Sequence, residues 1–220
     1  MKITHLFKIA SEMLLDLIYP KRCAVCQKMI GGYTDTALCP SCREEHFSTK
    51  VVRDDKFYFD EAIGILKYEG EVKSAMIKYK FKSAKYYAKA YAHVMNRAGY
   101  EREYLKDAVM CCVPLSRARD REYNQTCLIA KELSAMWGSE FISDLVVRSK
   151  AVGQISKMNL QDRQFFVTNS FDINSRYDIY GKDILLIDDI LTSGTTANEC
   201  AKMLKINGAE NVYVLCACYD

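Results

Sequence analysis

Two adjacent carboxylates near the end of the sequence follow an apolar run and precede a hydroxyl-rich turn. Residues 184–187 predict a buried strand, and Asp188 and Asp189 come directly after it. The next small residues can bind an anion through backbone N–H groups and hydroxyls: Thr192, Ser193, Gly194, Thr195 and Thr196. A ligand that carries both ring hydroxyls and a phosphate, such as a ribose 5-phosphate, would satisfy both groups.

The same stretch has a plainer interpretation. Asp188 and Asp189 can be the solvated end of a strand, and the turn after them can be an ordinary helix cap. Only the rest of the chain can favour the ligand site over this alternative.

Four cysteines form a second chemical pattern, C-x2-C-x12-C-x2-C. Cys23 and Cys26 make the first pair, and Cys39 and Cys42 make the second. Four thiolates complete tetrahedral Zn²⁺ without an open position, so the spacing predicts a structural zinc ribbon over residues 20–45. An iron–sulfur cluster and two separate redox pairs are the alternatives.

The chain has ten cysteines, and six lie outside the ribbon pattern. We expect these six to be buried structural thiols: Cys111, Cys112, Cys127, Cys200, Cys216 and Cys218. The length and the metal-ligand spacing argue against a secreted disulfide framework, so we expect a reducing, cytoplasmic location. The formal charge of +3 is small, and any nucleic-acid contact would therefore need a local basic patch.

The first residues have apolar positions at helical spacing. Residues 1–19 predict an amphipathic packing helix, with a membrane-surface helix as the alternative. No apolar run reaches the roughly 20 residues that a membrane span needs, so we expect no span.

Strand and helix patterns alternate after a polar segment, 43–60, that we interpret as a linker. Alternation of this kind predicts an α/β domain over residues 60–220 with a mostly parallel sheet flanked by helices. The strand candidates are 62–68, 109–113, 144–148, 184–187 and 212–218, and the helix candidates are 83–98, 124–137 and 195–206.

Residues 66–97 contain eight Lys or Arg and two Glu, interleaved with aromatic residues. This composition suits single-stranded nucleic acid, but over 83–97 a solvated helix with tyrosines on its buried face explains it as well. Lys78, Lys80 and Lys82 alternate as on one face of an extended segment, and they are candidate anion or DNA contacts together with Arg121.

Residues 184–196 resemble the phosphoribosyl pyrophosphate loop of type I phosphoribosyltransferases. Other segments are similar to the ComF competence family: the zinc ribbon, 68–70, 77–81, 113–116, 121–125, and Gln154 with Arg163. The resemblance implies a type I phosphoribosyltransferase-like fold behind a zinc ribbon. Glu122 stands where the family usually has Gly, and Phe166 stands where Asn is typical.

The resemblance also implies roles for individual residues. Asp188 and Asp189 would contact the ribose hydroxyls directly or through Mg²⁺, and residues 192–196 would hold the 5-phosphate. The turn that would hold pyrophosphate is Leu115, Ser116 and Arg117. Residues 148–163 would form a mobile loop whose cations, Arg148 and Lys150, neutralise the departing pyrophosphate.

Two functional classes follow from the resemblance. The first is a phosphoribosyltransferase that binds phosphoribosyl pyrophosphate, or a related ribose phosphate, with Mg²⁺ and transfers the ribosyl group to an unknown acceptor. The second is a non-catalytic protein of DNA uptake that binds single-stranded DNA and works with a competence helicase. In the second case the phosphate loop would be regulatory or would bind a backbone phosphate.

Overall fold

The structure, a computed structural model, describes residues 21–31, 37–81, 85, 87–115, 123–149 and 171–220. The helix predicted for residues 1–19 lies outside these ranges. None of the helices within them has the length and hydropathy that crossing a membrane requires.

The first described unit is a small ribbon followed by helix α1 (Pro40–His46). A short bridge pairs Arg22 with Met29, and the N–H of Cys23 donates to the carbonyl of Lys28 at 2.9 Å. Pro40 begins α1, where its missing N–H costs no helical hydrogen bond. These tight turns direct the cysteine side chains toward one another.

The remaining described elements alternate strands and helices, as predicted. In chain order they are β1 (Phe47–Val52), β2 (Glu61–Lys67), α2 (Gly70–Phe81), α3 (Tyr87–Glu101), α4 (Tyr104–Asp107), β3 (Val109–Cys112), α5 (Gln125–Trp137), β4 (Val146–Arg148), β5 (Phe171–Ile173), β6 (Ile184–Leu191), α6 (Thr195–Ile206) and β7 (Val212–Tyr219).

Five strands form the central sheet in the order β1-β2-β7-β6-β3. β2, β7, β6 and β3 are parallel, and β1 pairs antiparallel with β2 at the edge. β4 and β5 form a separate antiparallel pair. The predicted fold class, a mostly parallel sheet flanked by helices, is confirmed.

Each face of the sheet has its own apolar core. α2, α3 and α5 cover one face together with the apolar residues of the ribbon, and α6 with the β4–β5 pair covers the other. The alternation of side chains along β6 sends Leu185 and Ile187 to the first core and Ile184 and Leu186 to the second. Burial on both faces explains why this strand is apolar throughout.

Two of the sequence interpretations differ from the structure. The segment 43–60 is not only a linker, because it contains the end of α1 and all of β1. The helix predicted for 83–98 begins at Tyr87 in the described residues and continues through Gly99 to Glu101. A Cβ at Gly99 would lie 2.6 Å from the ring of Trp137, so this glycine allows α3 to pack closely on α5 rather than ending the helix.

Two of the six remaining cysteines are not free thiols. Cys112 at the end of β3 and Cys127 in the first turn of α5 form a disulfide, with their Cα atoms 5.3 Å apart. Their separation in sequence gave no reason to pair them. The four others are free and buried as expected, and burial raises the pKa of each thiol: Cys111, Cys200, Cys216 and Cys218.

Candidate functional site

The two carboxylates lie in the second half of β6, at the carboxyl edge of the parallel strands. The burial of β6 changes from complete over Ile184–Ile187 to partial at Asp188 and Asp189. The Oδ1 atom of Asp188 accepts a hydrogen bond from the N–H of Asp189 at 2.8 Å. Burial, together with the charge of Asp189, raises the pKa of Asp188 to about 7. The pair therefore resists carrying two negative charges and favours a cation or hydroxyl donors beside it.

One cation already lies beside this pair. The Nζ atom of Lys80 is 2.8 Å from Oδ1 of Asp189, and both side chains are mostly buried. The prediction that Lys78, Lys80 and Lys82 share one face of an extended segment is wrong for the first two, because α2 is a helix through Phe81. Residues two apart on a helix point to different sides, so Lys78 is exposed while Lys80 reaches the carboxylates. Lys82 lies outside the described residues.

A glycine with positive φ ends the turn and begins α6. Gly194 is the N-cap at φ +74°, and it has no side chain with which to satisfy the first helical N–H groups. The hydroxyls of Ser193 and Thr195 lie 2.9 Å apart, and both residues are exposed with Thr192 and Thr196. The turn thus presents hydroxyls and helix N–H groups that can hold a phosphate.

Two stacked aromatic rings pack against this turn. The rings of Phe57 and Phe59 stack at 4.6 Å, and a Cβ at Gly194 would lie 3.6 Å from Phe57. The segment between β1 and β2 contacts α6, where the N–H of Tyr58 donates to Oδ1 of Asn198 at 2.6 Å. The sequence analysis predicted no role for these residues. The aromatic run over 57–59 is the signal that could have indicated them.

Arg148 and Leu115 meet at the same edge. The Nε atom of Arg148 donates to the carbonyl of Leu115 at 3.0 Å, and its guanidinium lies 4.6 Å from the ring centre of Phe171. Burial raises the pKa of Glu199 on α6, and the charge of Arg148 opposes that rise. Four other predicted contacts lie outside the described residues: Ser116, Arg117, Arg121 and Lys150.

The start of α5 fixes the end of α2. Asn124 caps α5 by accepting a hydrogen bond from the N–H of Thr126 at 3.1 Å, as the sequence predicts. The next residue, Gln125, donates from Nε2 to the carbonyl of Lys80 at 2.8 Å. The hydroxyl of Tyr79 donates to the carbonyl of Gln125 at 2.8 Å. These bonds join the start of α5 to the helix that carries Lys80.

The four predicted zinc ligands come together in the ribbon. The Sγ atoms of Cys23, Cys26, Cys39 and Cys42 all lie within 4.8 Å of one another, an arrangement that fits a structural zinc. His46, which sequence reasoning assigned to no cluster, lies with Glu71 of α2 within 4.8 Å of Cys42. Its buried Nε2 atom has no hydrogen-bond partner among the described residues. A cleft of about 740 Å³ separates this end of the ribbon from α2.

Two domain families match the chain, one over the ribbon and the other over the second half of the sequence. The double zinc ribbon domain matches residues 14–52, and the phosphoribosyl transferase domain matches residues 118–220. Relatives that match most of the chain carry competence and DNA-utilization names. The chain is similar to the ComF competence proteins.

Three relatives illustrate the similarity to the ComF family. The DNA utilization protein YhgH of Escherichia coli K12 is 25% identical over 89% of this chain and 89% of its own length. Competence protein ComFC of Streptococcus pneumoniae is 29% identical over 79% of this chain and 77% of its own. Competence protein F of Haemophilus influenzae is 30% identical over 46% of each chain.

Similar solved structures include the glutamine phosphoribosylpyrophosphate amidotransferase of B. subtilis complexed with ADP and GMP. The match has a TM-score of 0.44 and 18% identity, and it covers 63% of this chain. A regulatory enzyme of purine biosynthesis matches with a TM-score of 0.45 and 18% identity, also over 63% of this chain. The matched region spans 30% and 29% of the length of those two chains.

Proposed function

We propose that this protein binds phosphoribosyl pyrophosphate, or a related ribose phosphate, together with Mg²⁺. The observation that carries the proposal is the position of Asp188 and Asp189 beside the turn that begins α6. The carboxylates would accept hydrogen bonds from the two ring hydroxyls of the ribose. The hydroxyls and N–H groups of residues 192–196 would hold the 5-phosphate.

The side chains at this edge fit Mg²⁺. Carboxylate and hydroxyl oxygens are the donors that this hard cation prefers. Asp188 and Asp189 would hold the ion, mainly through its water ligands. Bound Mg²⁺ would supply charge neutralisation for the diphosphate.

Arg148 would face the diphosphate from the opposite side. Its hydrogen bond to Leu115 and its contact with Phe171 support a guanidinium at the predicted pyrophosphate turn. A departing pyrophosphate gains negative charge on the oxygen that was bonded to C1, and a preorganised guanidinium stabilises that charge. Lys150, Ser116 and Arg117 would complete this contact as the sequence resemblance implies.

Ribosyl transfer would then depend on position and charge. The C1–O bond to pyrophosphate would break as a bond from C1 to a nitrogen nucleophile forms, and the pyrophosphate would leave with both bonding electrons. The acceptor would enter opposite that bond and lose its proton to water. We rank ligand binding ahead of turnover, since nothing among the described residues identifies the acceptor.

Calorimetry tests this proposal directly. Zinc-loaded protein titrated with phosphoribosyl pyrophosphate and Mg²⁺ should give saturable binding, and the Asp188→Asn, Asp189→Asn double variant should lose it. Asp107→Asn is the control, because Asp107 is exposed in α4, before the amino end of β3. A wild-type protein that shows no heat of binding would overturn the proposal.

A second candidate function is the handling of single-stranded DNA during natural transformation. The names of the relatives favour it, as does the exposed Lys78, which lines the cleft together with Lys28. Lysines beside a groove would contact backbone phosphates, and a competence helicase would be the partner. A gel shift that weakens steeply with salt would support this function, and no shift at low salt would exclude it.

The cytoplasm is the proposed location. A four-thiolate zinc site favours a reducing compartment.

A further inference from the structure

The ammonium group of Lys80 is held in the site more firmly than a surface lysine would be. Its side chain is 17% exposed, that of Asp189 is 13% exposed, and their charged atoms are 2.8 Å apart. Partial burial strengthens such an attraction relative to a surface pair, because less water and salt screen it. The positive charge also lowers the pKa of the neighbouring Asp188, against the effect of burial.

The backbone that delivers this lysine is fixed on both sides. The carbonyl of Lys80 accepts from Nε2 of Gln125, and Gln125 is itself only 1% exposed. The fully buried Tyr79 donates to the carbonyl of Gln125, and its own carbonyl accepts from the hydroxyl of Tyr123 at 3.1 Å. Lys80 therefore has a built support, which the exposed lysines of α2 do not have among the described contacts.

A cation at this position has a consequence for metal binding. The ammonium group 2.8 Å from Oδ1 of Asp189 opposes the approach of a second cation to the carboxylate pair. Free Mg²⁺ must overcome this repulsion or displace a mostly buried ammonium from its partner, which weakens metal binding when no new anion replaces that partner. A ligand that brings both the metal and a diphosphate supplies the replacement.

We propose that Lys80 is a resident counter-ion of the ribose-binding carboxylates, which keeps a divalent ion out until a sugar diphosphate arrives and then binds a diphosphate oxygen. This inference rests on the proposed function for its second half only. The side chain of Gln125, the first residue of α5, holds the backbone of Lys80 in place beside the carboxylates.

Manganese binding without any sugar ligand tests the first half. Free and bound Mn²⁺ differ in their electron paramagnetic resonance signals, and Mn²⁺ takes the same oxygen ligands as Mg²⁺. At pH 8 we expect Lys80→Met to bind Mn²⁺ at least about tenfold more tightly than the wild type. Lys80→Arg, which keeps the charge, should bind it as weakly as the wild type.

Three controls make the result specific. Lys73→Met removes an exposed lysine from the same helix and should change nothing. The gain in Lys80→Met should disappear when Asp189→Asn is added, which shows that the ion binds at this pair. Lys80→Gln repeats the test if the Met variant does not fold, and thermal melting with a zinc assay verifies folding. Wild-type Mn²⁺ affinity in folded Lys80→Met or Lys80→Gln protein would overturn the inference.

Calorimetry with phosphoribosyl pyrophosphate and Mg²⁺ tests the second half. Lys80→Met should bind this ligand at least about tenfold more weakly, because a charged contact to the diphosphate is lost. Unchanged affinity would refute the proposal that Lys80 binds the diphosphate. If the wild type binds no ligand, the proposed function fails, while the Mn²⁺ measurement still decides whether Lys80 is the counter-ion.

Discussion

The Nε atom of Arg148 lies 3.0 Å from the carbonyl oxygen of Leu115, although 33 residues separate the two in sequence. Leu115 follows β3 of the central sheet, and Arg148 ends β4 of the separate strand pair. The hydrogen bond brings two segments that the resemblance assigns to the diphosphate into one place. The charge of Arg148 also lowers the pKa of Glu199 on α6, against the effect of burial.

Replacement of Arg148 by Gln should weaken diphosphate binding more than monophosphate binding. Loss of a charged contact costs about 1.5–3 kcal/mol, so the affinity for phosphoribosyl pyrophosphate should fall at least about tenfold. The affinity for ribose 5-phosphate should change little, because residues 192–196 hold that phosphate. Calorimetry with both ligands checks this, and Arg176→Gln is the control, since Arg176 is an exposed arginine paired with Asp144. Equal losses for both ligands would contradict the assignment.

Asp188→Asn should remove ligand binding and stabilise the protein above neutral pH. The pKa of Asp188 is about 7 in the folded chain against 3.8 ordinarily, so folding favours the protonated form. This contribution is complete below about pH 4 and is lost as the pH rises through 7. The variant should therefore exceed the wild type by on the order of 2 kcal/mol in the free energy of unfolding at pH 8, and by much less at pH 4.

Urea unfolding at the two pH values measures that difference. Asp107→Asn should show no such pH-dependent gain. A variant that is no more stable than the wild type at pH 8 would mean that the carboxylate of Asp188 is not destabilised by its surroundings.

Gly194→Ala should impair phosphate binding and lower stability. The residue has φ +74°, and a side chain there costs about 1–2 kcal/mol and would contact Phe57. Gly181→Ala is a matched control, because Gly181 has φ +66° with no atoms within 4 Å of its added Cβ. Both variants should melt at lower temperature, and only Gly194→Ala should bind ribose 5-phosphate more weakly. Equal ligand affinity in the two would argue against the turn as the phosphate site.

Cys39→Ser should release zinc and unfold the ribbon. A ribbon of this size has little core of its own, so the metal carries much of its folding free energy. The central sheet should persist with a lower melting temperature, because Val25 and Leu38 belong to the core that α2 and α3 also form. Zinc analysis and circular dichroism measure the two effects. A variant that keeps one zinc per chain would refute the four-cysteine site.

The sequence alone determined those features that depend on neighbouring residues. The spacing of Cys23, Cys26, Cys39 and Cys42 predicts one tetrahedral site, and the thiols do converge. The order of apolar run, carboxylates, glycine turn and helix over 184–206 is equally local, and the structure has β6 and α6 at these positions. Short-range geometry fixes such features, so their interpretation did not need the fold. The roles of the predicted ligand contacts stay predictions.

Only the tertiary structure decided which distant side chains reach the site. Lys80 contacts Asp189 because α2 is a helix, in which Lys78 and Lys80 point to different sides. An extended segment would have directed both lysines to the same side. Phe57 supports Gly194, and Cys112 bonds to Cys127, through packing that no spacing along the chain encodes. Each of these contacts depends on how helices lie on the sheet. That arrangement follows from the burial of whole faces, and no short stretch of sequence specifies it.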